Sequence, residues 1–291
     1  MNKLGLVLEG GGNRGIYTAG VLDTFLEENI TVDGVIGVSA GSIHGASFIS
    51  GQKGRSINYT KKYCRDPRYM SFKSWRKTGN YVGVDFCYHE LPEKLFPFDN
   101  DTFENSPMKF YVTATDVQSG EAVYHYCPSL RGEKIEWVRA SASLPIISEM
   151  VEIDGRKYLD GGIADSLPIE AMRRLGYTKN IVILTRPAGY SKQPNKMMPI
   201  IKCRMKDYPA FIHAAETRHE VYNDELARLE QLSKTGEVCL IRPSKDLKVG
   251  RLEKNPEKIQ SLYDLGCRDA HAQMTRIKNF ITNAETEKTP Q

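Results

Sequence analysis

Two strand–turn–helix units crowd the first 50 residues, and both turns are built almost wholly from small residues. The first unit runs LGLVL (4–8), EGGGNRG (9–15) and YTAGVLDTFLEEN (17–29). Its Val21, Leu22, Phe25 and Leu26 fall at helical spacing, and Asn29 is a fitting stop. The second opens with a turn at Asp33-Gly34, continues as the buried strand VIGV (35–38) and passes through GVSAGS (37–42) into another helix. Continuously apolar strands that feed helices at once predict a parallel sheet covered on both faces. The expected fold class is therefore α/β, a three-layer α/β/α arrangement around a mainly parallel sheet.

Further buried strands are predicted at 109–117, 121–127 (its hairpin partner), 180–187 and 237–243, and the last two end in Arg-Pro, where proline stops the ladder. Helices are predicted over 166–176, 202–234 and 256–281, the latter two long and highly charged. Residues 65–106 are the least regular stretch and read as a cap or lid. No internal repeat or low-complexity linker divides the chain.

The 291 residues are 40% hydrophobic and 26% charged, enough for a sizeable core and unlike a disordered or disulfide-dense chain. No apolar run approaches the ~18–20 residues of a spanning helix, and the mean hydropathy is −0.44. The apolar stretch after Lys3 breaks at Glu9, too soon for a signal peptide, so a soluble, cytoplasmic protein is expected. Six cysteines (64, 87, 127, 203, 239 and 267) are at least 23 residues apart, which fits neither a zinc site nor a disulfide framework. The net charge of +4 divides unevenly, −3 over residues 1–169 and +7 over 170–291.

Three short motifs carry chemistry. Gly37-Val38-Ser39-Ala40-Gly41 is a G-x-S-x-G between a strand and a helix, where a sharp turn lifts a serine hydroxyl above the sheet. Flanking glycines are needed because side chains would strike neighbouring backbone, and the helix behind aims its N–H groups at the serine. Gly10-Gly11-Gly12-Asn13-Arg14-Gly15 bares consecutive N–H groups. It suits an oxyanion hole, and it also satisfies the G-x-G-x-x-G of a dinucleotide loop. A nucleotide fold places an acid at the end of the second strand. Here Asp33 precedes that strand and Ser39 follows it, which favours the oxyanion reading.

The third motif, Asp160-Gly161-Gly162, is in isolation an ordinary turn. A serine nucleophile requires a base, however. None of the histidines (44, 89, 125, 213, 219 and 271) has a setting that marks it as that base. A Ser-Asp dyad with Asp160 therefore stands beside a Ser-His-Asp triad as an open alternative.

EGGGNRG (9–15), GVSAGS (37–42) and YLDGG (158–162), together with ASASLPIISEM (140–150), resemble the motifs of the patatin-like phospholipase family over residues 4–175. The resemblance implies Ser39 as nucleophile, Asp160 as its base, and an oxyanion hole from the Gly10–Gly12 backbone supported by Arg14. Gly15, Gly37, Gly41, Gly161 and Gly162 are the remaining motif glycines. It implies hydrolysis of lipid acyl esters with no metal or other cofactor. Glu9 departs from the aspartate often found at that place. The organisation expected is a catalytic domain at 4–175, an α/β extension at 176–283 completing or flanking the core, and a polar tail at 284–291. The charged segment after residue 190 resembles an accessory region of some bacterial members.

Nine basic residues and a single acid lie between Lys53 and Lys77, and eight aromatics between Tyr69 and Phe98. Residues 53–98 are thus expected either to touch an anionic membrane surface or to fold an aromatic minicore; no nucleic-acid motif accompanies them. The function expected is a phospholipase A or lysophospholipase-type acyl hydrolase. Alternatives are a carboxylesterase or thioesterase using the same dyad, and a non-catalytic lipid- or nucleotide-binding regulator.

Overall fold

Burial on both faces of strand β1 (Leu4–Leu8) sets the architecture in a computed structural model that describes residues 3–286. Leu6 and Leu8 face one layer and Val7 the other, the period-two alternation of a strand buried on both sides. The chain continues through α1 (Ile16–Glu27), β2 (Gly34–Val38), α2 (Ala40–Ile49), α3 (Arg55–Tyr63) and α4 (Phe72–Thr78). A π-helical segment (Asp85–Leu95), α5 (Asn100–Asn105), β3 (Lys109–Asp116), β4 (Ala122–Tyr126) and α6 (Glu136–Ser141) follow. Next come β5 (Val151–Ile153), β6 (Arg156–Asp160), α7 (Ile169–Arg174), β7 (Lys179–Ile183) and α8 (Met198–Arg204). The order closes with α9 (Pro209–Lys234), β8 (Val238–Ile241), α10 (Pro256–Ala272) and α11 (Met274–Thr286).

The strands form one eight-stranded sheet in the order β5-β6-β3-β2-β1-β7-β8, with β4 also on β3. The run β3-β2-β1-β7-β8 is parallel, whereas β4, β5 and β6 are antiparallel additions around β3. One layer packs Phe25 of α1, Phe48 of α2, Trp137 of α6, Leu262 of α10 and Ile277 of α11 onto the sheet. The other packs Met172 of α7 with Tyr222 and Leu229 of α9. This is the expected α/β/α sandwich. Both β7 and β8, which come from beyond residue 175, are strands of the same sheet.

The edges of β3 are shared in an instructive way. β4 pairs with residues 111–115, β2 with 109–113, and β6 with 114–116. Residues 111–113 bond both β4 and β2, and residues 114–115 bond both β4 and β6. A strand has two edges, so β2 and β6 must follow one another along the edge opposite β4.

Helix α10 crosses α1 at two glycines. A Cβ on Gly20 would lie 2.2 Å from the Tyr263 carbonyl oxygen, and one on Gly266 2.2 Å from that of Tyr17. Two reciprocal hydrogen bonds flank the crossing: Tyr17 donates to Asp269 (3.1 Å) and Tyr263 to Asp23 (2.8 Å). On α2, buried His44 places Nδ1 3.0 Å from Ser56 Oγ. Burial, and secondarily Arg55, pushes its pKa down to about 4.

Several expectations are corrected. The helix expected over 202–234 is two, because Pro209 lacks an N–H and holds Tyr208 out of the helical region (φ −128°, ψ 69°). The helix expected over 256–281 breaks at Gln273 and resumes to Thr286. The strand read as 180–187 ends at Ile183, and that read as 237–243 spans only Val238–Ile241. Residues 65–106 hold α4, the π-helical segment and α5. Of the tail placed at 284–291, residues 284–286 belong to α11 and the remainder lies outside the described residues. Most of the aromatic-rich stretch turns inward: Tyr81, Phe86 and Tyr88 are buried, and Tyr63 meets Phe86 and Phe96 edge-on.

Two outcomes follow from this packing. Gly266→Val forces α10 off α1 and should cost about 3 kcal/mol or more, read as a lowered urea midpoint; an unchanged midpoint contradicts the crossing. His44 is held neutral, so the stability that it confers is whole above pH ~6.5 and is lost as pH falls from there toward 4. Wild type should lose about 3 kcal/mol more than His44→Asn between pH 7 and 4 in parallel denaturation series.

Candidate active site

Ser39 stands where β2 turns into α2, and its backbone is left-handed (φ 55°, ψ −123°). A non-glycine residue holds such a conformation only when its surroundings over-determine it. They do. A Cβ on Gly37 would lie 2.4 Å from Ser42 Cα, and one on Gly41 2.3 Å from the Leu8 carbonyl oxygen, so neither position admits a side chain. The Ser39 N–H donates to Ser141 Oγ at 2.8 Å, and the ten-residue α2 begins at the next residue.

The glycine loop lies against this elbow. A Cβ on Gly10 would come within 2.8 Å of Ser39 Cβ, and one on Gly15 within 2.8 Å of Ala40 Cβ. Gly12 has φ +56°, and a Cβ there would lie 2.5 Å from the Arg251 carbonyl oxygen. Among the described residues, the N–H groups of Gly10, Gly11 and Gly12 reach no hydrogen-bond acceptor. The carboxylate of Glu9 is buried behind the loop. It accepts from Thr185 N–H (2.5 Å), Thr185 Oγ1 (3.0 Å) and Tyr222 OH (2.9 Å). Arg14 Nε is buried without a partner, and burial, with Arg186 and Arg251, pushes the guanidinium down to about 10.

Asp160 ends β6, paired with Ala114, one residue beyond the point where β2 releases β3 at Thr113. It therefore comes to the same strand end as Ser39. Its N–H donates to the Ser143 carbonyl (2.8 Å), and its Oδ1 accepts from Gly162 N–H (2.9 Å). Oδ2 is buried with no hydrogen-bond partner. Gly161 is required by proximity, because a Cβ would lie 2.1 Å from the Thr113 carbonyl oxygen; at Gly162 one would lie 3.0 Å from Arg218 Nη2.

Two cavities meet at Ser39. The larger, about 430 Å³, is walled by apolar residues such as Ile43, Tyr59, Val82, Leu91, Leu130 and Val138. The smaller is polar and gathers Gly10, Gly11, Gly12, Arg14, Ser39, Asp160 and Gly162 with Lys192, Arg218 and Arg251. Of the predicted residues, Gly10, Gly11, Gly12, Arg14, Ser39, Asp160 and Gly162 line this pocket, whereas Gly15, Gly37, Gly41 and Gly161 do not. His44 and His89 line the apolar cavity and no histidine lines the polar one. His125 is stacked on Trp137 at 4.0 Å. Sequence reasoning missed Ser141, Ser143, Thr185 and Tyr222, which position the motifs, and Lys192, Arg218 and Arg251. The only signal for those cations was the +7 balance of residues 170–291.

A family model described as patatin-like phospholipase matches residues 6–173, and one described as a domain of unknown function (DUF6363) matches 208–282. The uncharacterized protein YjjU of Escherichia coli is 31% identical over 191 residues, 64% of this chain and 53% of YjjU. Lysophospholipase nte1 of Aspergillus niger is 31% identical over 180 residues, 60% of this chain. The chain thus spans about half the length of the first relative and 11% of the second. Among solved structures, VipD from Legionella pneumophila superposes with a TM-score of 0.43 at 13% identity, covering 94% of this chain and 67% of that one. With the family model spanning more than half of its length, the chain belongs to the patatin-like phospholipase family.

Proposed function

We propose that the protein is a serine-dependent lipid acyl hydrolase in which Ser39 and Asp160 form a catalytic dyad. The observation that carries this reading is the left-handed elbow of Ser39, in one polar pocket with an Asp160 whose buried Oδ2 has no hydrogen-bond partner. The Ser39 proton passes to Asp160, and Oγ attacks the ester carbonyl carbon. The resulting oxyanion is held by the free N–H groups of Gly11 and Gly12, Gly10 bordering them and Arg14 adding positive charge. Collapse of the intermediate expels the alcohol, which takes the proton back from Asp160. Water, with Asp160 again as base, then hydrolyses the acyl-enzyme, releasing the fatty acid and restoring Ser39. A carboxylate is a weak base for an alcohol, so N–H donors worth about 3–4 kcal/mol each must supply much of the rate. The 430 Å³ apolar cavity opening on Ser39 suits an acyl chain.

Ser39→Ala should lower kcat on a p-nitrophenyl ester by about 10³-fold or more and abolish fluorophosphonate labelling, and Asp160→Asn should lower it by at least about 10²-fold. Full activity in the serine variant ends the proposal. A non-catalytic binder would leave the wild type unlabelled.

The same reading places the enzyme at a lipid surface through α4. That helix has no buried residue; Phe72 is 72% exposed, and Lys73, Arg76 and Lys77 share the helix with it. Each basic group near an anionic bilayer contributes about 1 kcal/mol, so Lys73→Gln/Lys77→Gln should weaken co-sedimentation with phosphatidylserine vesicles roughly 30-fold. Binding unaffected by those changes or by salt removes α4 from the interface.

A further inference from the structure

Four cations line the polar pocket with Ser39: Arg14, Lys192, Arg218 and Arg251. Only two carboxylates line it with them, Glu9 and Asp160. Both oxygens of Glu9 already accept from the neutral donors of Thr185 and Tyr222. Among the described residues, no ion pair joins any of the four cations to a carboxylate, and the Nε atoms of Arg14 and Arg218 are buried without a hydrogen-bond partner. Arg14, Lys192 and Arg218 are half-buried without counter-ions, which is costly, so a pocket that keeps them is matched to an anion.

Arg251 and Lys192 are anchored through their backbone. Asn13 N–H donates to the Arg251 carbonyl (2.9 Å), and Asn13 Nδ2 to that of Glu253 (2.6 Å). Asn223 brackets Lys192, its Oδ1 accepting from the Lys192 N–H (2.8 Å) and its Nδ2 donating to the Lys192 carbonyl (3.0 Å). Lys192 is pushed down to about 6, first by burial and then by Arg218, so a bound anion would restore its charge. Lys192, Arg218 and Arg251 all lie outside the 6–173 match, the two arginines inside the 208–282 region of unassigned role.

We propose that Lys192, Arg218 and Arg251 form a phosphate-monoester subsite beside Ser39, which makes the preferred substrate an acyl ester with a terminal phosphate close to the scissile bond, as in a monoacylglycerol phosphate. The proposal rests on Ser39 as nucleophile. A phosphate monoester brings up to two negative charges and geometry suited to arginine, whereas the ammonium of a choline headgroup would be repelled by the same field.

The test compares kcat/KM of the full chain for oleoyl glycerol phosphate, oleoyl glycerophosphocholine and monooleoylglycerol in one neutral detergent. Wild type should favour the phosphate monoester by at least about tenfold. Arg251→Gln and Lys192→Met should each shrink that preference several-fold, mainly through KM. Arg251 is exposed, so its variant remains informative if the Lys192 variant folds poorly. Equal rates on all three lipids, or a preference untouched in both variants, overturns the subsite. Should wild type hydrolyse none of the three, the hydrolase reading fails, and calorimetric titration of Ser39→Ala decides the subsite by itself. Glycerol phosphate binding that disappears in Ser39→Ala/Arg251→Gln supports it, and no binding refutes it. Inorganic phosphate, titrated separately, distinguishes a headgroup site from one for free phosphate: tighter binding of the free ion overturns the lipid assignment.

Discussion

The succession of β2 by β6 along one edge of β3 is the constraint on which the candidate active site depends. β2 must leave the sheet at Val38 for β6 to take its place at Ala114, and the departing chain turns at Ser39 while the arriving strand ends at Asp160. Thr115 ties the junction by donating its hydroxyl to the Asp160 carbonyl at 2.9 Å. The end of α6 and the residues just beyond it then clamp both sides, Ser141 accepting from Ser39 and Ser143 from Asp160. Two residues 121 positions apart are held together by backbone pairing, which is stiffer than any contact between flexible side chains.

Much of this was legible in advance where the signal was local. The elbow at Ser39 and the glycine loop are each confined to a few residues, and their chemistry follows from missing side chains. The five parallel strands stood out as apolar runs. Asp160 was harder, because its strand, RKYLD, is half exposed and short, and its value depends on which edge of β3 it joins. That is a long-range fact without local periodicity. Lys192, Arg218 and Arg251 were invisible for the same reason: each sits in an ordinary charged stretch, and only the fold points them at one pocket. The long helices were overextended because charge patterning continues across Pro209 and Gln273 while the backbone does not.

The region after residue 175 is structurally part of the sheet domain. It contributes β7 and β8 to the parallel run, α9 to one layer and α10 to the other, and its glycine crossing with α1 lets two backbones approach more closely than side chains would permit. The uneven charge division noted in the sequence acquires meaning there. Part of the positive excess of the second half is spent on the rim of a pocket whose floor is made by the first half.

The place of β1 also sets a timetable. It is flanked by β2, made within the next 30 residues, and by β7, which begins at residue 179. During synthesis one edge of the central strand therefore waits for well over a hundred residues, a bare template that other chains could pair with. The pocket beside Ser39 waits longer still, until Arg251 has been added. A ribosome-bound chain thus carries its serine and its glycine loop more than two hundred residues before the pocket that joins them to Arg251 is complete.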